Sequence, residues 1–205
     1  MIGPADYHVV TRWRVAGTCG EVADVIGDAA SLARWWPAVY LRVDELEPPD
    51  SRGVGRRLRL LTTGWLPYTL TWELTVTESR YPNGLSLTAS GDVVGTGVWT
   101  FAQDGDTVAI VFDWRVRATQ PRLRQWSRWL RPLFAANHRW AMRQGEESLR
   151  LELQRRRAAS AAAKAAVPPP PGPVTYAGVA LVGGAAVIGG TLAYLLIRAR
   201  RRQRP

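Results

Sequence analysis

Cysteine and histidine are scarce in this 205-residue chain. Cys19 is the single cysteine, and His8 and His138 are the only histidines. One cysteine cannot form an internal disulfide, which excludes a disulfide-stabilised secreted domain. Three such residues are too few for a transition-metal cluster, so the sequence predicts no metal site and no cofactor.

The first residues lack the pattern of a secretory signal peptide, and the basic stretches lack a nucleic-acid-binding signature. The N-terminal stretch MIGPADYHVVTRW does not have the basic-then-apolar pattern of a secretory signal peptide, so we expect the folded part in the cytoplasm. The formal net charge is +10, but no helix-turn-helix, zinc or RNA-binding signature accompanies it. A nucleic-acid partner is therefore not expected.

One long run near the C-terminus carries no charge. Residues 174–197, VTYAGVALVGGAAVIGGTLAYLLI, would form a helix about 36 Å long, enough to cross a hydrocarbon core of ~30 Å. The sequence predicts a single-pass transmembrane helix here, with the lipid bilayer as its partner. The basic tail 198–205, RARRRQRP, suits anionic lipid headgroups.

The segments before this run define the domain organisation. Residues 1–157 are predicted to fold as one domain, and 158–173, AASAAAKAAVPPPPGP, form an alanine- and proline-rich linker. The positive-inside rule alone would place the basic tail in the cytoplasm. Because exporting the large domain would require a signal, we expect the domain inside and a protein of the cell membrane.

Basic residues are concentrated in the last part of this domain. Residues 121–157 contain ten arginines, among them Arg155, Arg156 and Arg157, and three glutamates. Beside a membrane anchor, such a helix is typical of a surface that faces anionic lipid headgroups. A solvated helix face is the alternative interpretation.

Hydrophobic periodicity predicts an α+β domain. Two-residue alternation is clearest in 68–77 and 107–116, and strands are also expected at 7–15, 38–46, 55–62, 85–90 and 94–103. Helices are expected at 18–28, where Thr18 and Glu21 have capping-box spacing, and at 28–36, which Pro37 ends. A long helix with an early break at Pro132 follows the last strand. Its inner stripe comprises Leu130, Phe134, His138, Ala141, Met142, Gly145 and Leu149.

The order of these elements resembles the START-like helix-grip superfamily, the polyketide cyclase/dehydrase and lipid-transport group. The resemblance covers roughly residues 5–155 and depends on SLARWWPAV, GVGRRLRL and RPLFAANHRWAMRQGEESLRLEL. It implies a curved antiparallel sheet of about seven strands around a long C-terminal helix, with an apolar cavity between them. It also places Trp35 and Trp36 near the cavity mouth, as wall and gate, although either could instead fix the helix pair to the sheet.

The strand faces predicted to line this cavity carry almost no acid or base. Polar candidates are few, and His138 is the best of them, although a lone histidine on an apolar face is more often a core residue than a catalyst. No residue is therefore assigned a catalytic role. The predicted ligand-binding residues are Trp35, Trp36, Tyr68, Trp72, Trp99, Trp114, Phe134, Asn137 and His138.

Three functions are compatible with these features. The first is a membrane-tethered binding or transport module for a lipophilic small molecule such as a lipid, quinone or polyketide-like compound. The second is a cyclase or aromatase, which the resemblance suggests but for which the cavity lacks a carboxylate or base. The third is a membrane scaffold, since Ala185, Gly189 and Ala193 place small residues at four-residue spacing in the predicted span.

Overall fold

A seven-stranded antiparallel sheet forms the body of the protein. The computed structural model describes residues 7–119 and 121–175, and it describes the side chains of these residues except for 118 and 121–131. The order across the sheet is β1-β7-β6-β5-β4-β3-β2. The strands are β1 (Tyr7–Ala16), β2 (Tyr40–Glu47), β3 (Arg57–Thr63), β4 (Thr69–Ser79), β5 (Gly84–Gly91), β6 (Val93–Asp104) and β7 (Thr107–Ala118).

Two short helices connect β1 to β2. Helix α1 (Cys19–Gly27) begins with the predicted capping box, in which Thr18 Oγ1 accepts from the Glu21 backbone N–H at 3.2 Å and the Glu21 carboxylate accepts from the Thr18 N–H at 2.8 Å. A 3₁₀ turn (Ala29–Ser31) then leads into α2 (Leu32–Trp35). The predicted helix at 28–36 is thus split, and only Leu32–Trp35 is α-helical.

Alternation along the strands separates a buried face from a solvent face, as predicted. In β4, Trp72, Leu74 and Val76 are buried, and the intervening Glu73 and Thr75 are only partly covered. In β1, Trp13 is buried between the exposed Arg12 and Arg14, and Val15 is buried as well. The period of two therefore turns one apolar face of the whole sheet toward the helices.

Helix α3 (Pro121–Arg157) packs its apolar stripe against this buried face. Met142 and Leu149 of the predicted stripe are buried, as are Leu151 and Leu153 further on. The predicted break at Pro132 is wrong, since the helix is continuous through this residue. Pro132 is exposed and removes a single N–H donor, and the long packed segment that follows sustains the helix. The side chain of Leu130 lies outside the described part.

The end of α3 is joined to α2 through a buried carboxylate. Glu152, 2% exposed, accepts hydrogen bonds from Arg34 at 3.0 and 3.2 Å, Arg155 at 3.1 Å and Arg156 at 3.0 Å. Burial raises the pKa of Glu152, but these guanidinium contacts outweigh it and hold the pKa below its usual value. Glu152 is therefore a charged anchor.

Arg155, Arg156 and Arg157, which were expected to face anionic lipid, are paired within the domain, and whether they also meet lipid stays a prediction. Two of them bind Glu152, and Arg157 donates to Glu21 of α1 at 2.6 and 2.8 Å. Their charges are engaged within the domain, because acidic residues lie one helical turn away and across the helix pair. They hold the fold together and do not form an unpaired basic surface.

The alanine- and proline-rich segment forms a short helix and then extended chain. Helix α4 (Ala161–Ala166) begins at Ser160, whose side chain accepts from the Ala163 N–H, and the prolines follow without helix or strand. Within the described ranges, no helix combines the length and apolar character needed to cross a membrane. The predicted span 174–197 lies outside these ranges except for its first two residues, and the tail 198–205 lies wholly outside them.

Candidate functional site

An apolar cavity of about 260 Å³ lies between the buried face of the sheet and α3. Helices α1 and α2 close one side of it. Its described lining contains no Asp, Glu, Lys or Arg side chain. Aromatic and aliphatic groups make up most of the wall, which is the usual composition of a pocket for a small apolar molecule.

Trp35 and Trp36 form the deep part of this wall. They are 1% and 3% exposed, so the expectation that one of them is a partly exposed gate at the mouth is wrong. The chain turns inward after α2, and the Trp36 ring packs beneath α3 and beside Trp13 and Tyr40, with ring centroids 5.7 and 5.2 Å apart. Both tryptophans therefore line the cavity and also belong to the hydrophobic core.

Four aromatic rings cover the sheet side of the cavity. Trp99 and Phe112 face each other across β6 and β7 and stack at 4.1 Å, and Trp114 stacks on Phe112 at 5.4 Å. Trp72 adjoins Trp114 and donates its indole N–H to Thr62 Oγ1 at 3.0 Å. Trp99, Phe112 and Trp114 come from the adjacent strands β6 and β7, and Trp72 of β4 meets Trp114 with ring centroids 5.9 Å apart, so the four rings form one continuous aromatic surface.

The half-buried aromatic residues at the other end mark the mouth. Phe134 of α3 lies between Tyr7 and Tyr68, with each ring centroid 6.2 Å away and both rings in edge-to-face geometry. Burial, and then the neighbouring Tyr7, raise the pKa of Tyr68 to about 12, so this phenol is neutral at physiological pH. Phe134, rather than the tryptophan pair, occupies the position of a gate.

Asn137 holds the loop between β3 and β4 against α3. Its side-chain oxygen accepts from the backbone N–H of Trp65 at 2.8 Å and of Leu66 at 3.2 Å. This loop carries Tyr68 to the mouth. Asn137 therefore positions the rim of the cavity, and its oxygen is already engaged.

His138 contributes a neutral polar group to the cavity. Burial, and then the charge of Arg139, lower its pKa to about 4. Its Nε2 is buried and has no hydrogen-bond partner among the described residues. A neutral imidazole of this kind can offer one hydrogen bond to a ligand, but it is a weak base at physiological pH.

All nine residues predicted to bind a ligand lie in the cavity wall. Whether they bind one stays a prediction. Four polar residues of the lining were not among the predicted ones: Tyr7, Tyr40, Thr62 and Thr63. The inward face of β1 and the ends of β2 and β3 were the signals that could have identified them. In the described part of the chain, no group of three or more His, Cys, Asp and Glu side chains is arranged to hold a metal ion.

Solved structures share this architecture. The Zhui aromatase/cyclase from Streptomyces superposes with a TM-score of 0.57 at 18% identity, covering 76% of this chain and 97% of that one. The chain has the helix-grip fold. A protein from Thermus thermophilus, TTHA0849, superposes at 0.56 with 17% identity, covering 72% and 94%, and a conserved protein from Geobacillus kaustophilus at 0.55 with 12% identity, covering 72% and 95%. No family model and no curated protein matches the sequence.

Proposed function

We propose that this protein is a membrane-tethered module that binds a lipophilic small molecule in the helix-grip cavity. The observation that carries the proposal is the uncharged, largely aromatic and aliphatic lining of a cavity of about 260 Å³. Ligand pockets commonly measure about 300–1,000 Å³, so a small ligand would fit inside and a longer one would extend through the mouth.

The distribution of polar groups supports binding rather than chemistry. Catalysis by proton transfer needs a group whose pKa lies near the working pH. In the cavity, the low pKa of His138 and the high pKa of Tyr68 both lie far from neutrality. Burial of apolar surface, with a few hydrogen bonds for orientation, is what this wall can supply.

A neutral apolar fluorophore tests the binding proposal. N-phenyl-1-naphthylamine should gain fluorescence with the full-length chain in phosphatidylcholine nanodiscs, beyond the gain in empty nanodiscs. The variant Ala141→Phe places a ring in the cavity from α3 and should abolish that excess. Equal signals from the wild type, the variant and empty nanodiscs would rule out a binding cavity.

A cyclase or aromatase activity is the second candidate. It is favoured by the fold shared with the Zhui aromatase/cyclase and by the buried Nε2 of His138 at the cavity wall. Turnover of a polyketide-like substrate that His138→Gln abolishes without changing affinity would establish this activity. If the wild type showed no turnover and His138→Gln only weakened binding, the binding role alone would remain.

The tether is residues 174–197, with the domain on the cytoplasmic side. The uncharged length of this segment and the basic tail behind it support a membrane span. They do not support the orientation, because the positive-inside rule alone would place the tail in the cytoplasm. The full chain should sediment with membranes in high salt, and a chain ending at Thr175 should not. Protease added to intact spheroplasts should spare the domain; digestion would show the opposite orientation.

A further inference from the structure

Strand β1 forms one edge of the described sheet, where β7 is its only strand neighbour. The Arg14 N–H donates to the Glu146 carboxylate of α3 at 3.0 Å, so Arg14 turns its backbone groups away from β7. Because successive residues of a strand turn these groups alternately to its two sides, His8, Val10 and Arg12 do the same. No described residue pairs with the backbone groups of these three residues, so the edge is open here.

A groove of about 480 Å³ lies between this edge and α3. The strand and the helix run side by side in the same direction, since Tyr7 meets Phe134 near one end and Arg14 meets Glu146 near the other. Glu146 covers the edge at Arg14. The open stretch is therefore residues 8–12, which is long enough to pair with a short extended peptide.

The groove is positively charged. Arg12 of β1 and Arg139 and Arg143 of α3 line it, and all three side chains are exposed. None of them forms an ion pair within the part of the chain that the structure describes. Glu146 is the only carboxylate in the described lining, and it already accepts from the Arg14 N–H. The groove therefore complements a negatively charged partner.

The open backbone groups restrict the kind of partner. Alternating N–H and C=O groups along a sheet edge are matched by another extended peptide, which carries the same groups at the same spacing. Arg139 and Arg143 are about 6 Å apart along the helix axis, and alternate side chains of a strand are about 6.8 Å apart. Acidic residues at alternate positions of an added strand would therefore match the two arginines.

This chain itself is a poor source of such a strand. Two copies that paired through β1 would bring the groove arginines of both copies together, and like charges placed opposite each other are destabilising. The basic tail 198–205, with five arginines, has the wrong charge as well. The charge of the groove therefore favours a different protein.

We propose that β1 and α3 form a docking groove for an extended acidic segment of a partner protein. The segment adds a strand beside residues 8–12 and places acidic side chains at alternate positions next to Arg139 and Arg143. Backbone pairing supplies affinity, and the arginines select the partner by charge. This interaction goes beyond the proposed binding of a small molecule and does not depend on it.

A synthetic heptapeptide tests the proposal: acetylated and amidated Thr-Val-Glu-Val-Glu-Val-Thr. A rhodamine-labelled copy is bound to the full-length chain in phosphatidylcholine nanodiscs, and unlabelled peptides displace it in a fluorescence polarisation assay. At 50 mM NaCl the peptide should bind about threefold to tenfold more tightly than its analogue with glutamine for glutamate, as expected for two exposed ion pairs. This preference should decrease at 500 mM NaCl, because salt screens exposed charges.

N-methylated peptides test the strand pairing. One derivative is methylated at the amide nitrogens of the valines, and the other at those of the glutamates. Only one alternate set of amides faces β1, so one derivative should bind at least about tenfold more weakly than the other. Each derivative serves as the control for the other, since both carry N-methyl groups.

Substitutions in α3 locate the charges. Arg139→Gln and Arg143→Gln should each reduce the preference for the glutamate peptide by about twofold to threefold. Both side chains are exposed, so the melting temperature should not change. Arg150→Gln is the matched control, because Arg150 lies on the same helix outside the groove and is paired with Glu147. It should keep the full preference.

Three results would overturn the proposal. The first is no displaceable binding above that of empty nanodiscs, which would mean that the arginines only protect an open edge from pairing with other chains. The second is equal binding of the two N-methylated derivatives. The third is a glutamate preference that Arg139→Gln and Arg143→Gln both retain. None of them would affect the proposal for the cavity, which is tested with a different probe.

Discussion

Trp36 packs directly against Gly145 of α3, so closely that a Cβ at Gly145 would lie 2.3 Å from the ring atom Cζ2. The absence of a side chain at Gly145 thus makes room for the buried Trp36 ring. Gly145→Ala should destabilise the protein by about 1–3 kcal/mol through overpacking, although alanine normally stabilises a helix relative to glycine. Urea unfolding measures the change.

The matched control for this substitution is Gly20→Ala in α1. A Cβ there meets its nearest atom, the Tyr81 hydroxyl, at an ordinary 3.6 Å. Its stability should stay unchanged or rise by up to about 1 kcal/mol. A Gly145→Ala variant as stable as Gly20→Ala would contradict the packing described for Trp36.

Asn137 should protect the β3–β4 loop from local opening. Asn137→Ala removes the acceptor of two backbone N–H groups and should cost about 1–3 kcal/mol of stability. Amide hydrogen exchange at Trp65 and Leu66 should become faster, and Asn137→Asp, which keeps the acceptor oxygen, should retain their protection. Unchanged exchange in Asn137→Ala would show that the loop is held by other contacts.

Glu152 should be far more important for stability than a surface carboxylate of the same helix. Glu152→Gln leaves Arg34, Arg155 and Arg156 without their shared anion and should cost about 3–5 kcal/mol, as for a broken buried ion pair. Glu147→Gln breaks only the exposed pair with Arg150 and should cost about 0–1 kcal/mol. Chemical denaturation should separate the two variants; equal losses would contradict a buried anchor.

His138 should make the protein less stable in mild acid. Its pKa falls from 6.5 to about 4 on folding, because of burial and then Arg139, so between these values the unfolded chain binds a proton that the folded chain does not. Stability should therefore fall as the pH falls from about 6.5 to about 4, by on the order of 3 kcal/mol. His138→Gln should flatten this part of the profile, whereas the exposed His8→Gln should retain it. A decline that persists in His138→Gln would assign it to other groups.

Local periodicity was sufficient to predict the strands and most of the cavity wall. Trp72, Trp99 and Trp114 could be placed on the buried face because successive side chains of a strand point to opposite faces of the sheet. The capping box predicted the start of α1. These features depend on residues close together in sequence. The described strands and helices accordingly differ from the predicted ones by only a few residues.

Contacts between distant segments could not be predicted in this way. Trp36 meets Gly145, and Asn137 meets Trp65, only because the sheet and α3 bring them together. The predicted gate at Trp35 and Trp36 was wrong because adjacency to a helix end does not show whether the chain turns inward or outward. By contrast, Glu152 lies three and four residues before Arg155 and Arg156, a spacing that indicates their pairing.

The central claim is that the cavity holds an uncharged apolar molecule. Native mass spectrometry of the full-length chain, purified from its own cells and released from nanodiscs, tests it most directly. The account predicts a one-to-one complex with a small organic molecule, whose extracted mass and absence of ionisable groups are then determined. This complex should be lost in Ala141→Phe. Only the mass of the unbound chain in every preparation, or an added mass that Ala141→Phe retains, would contradict the account.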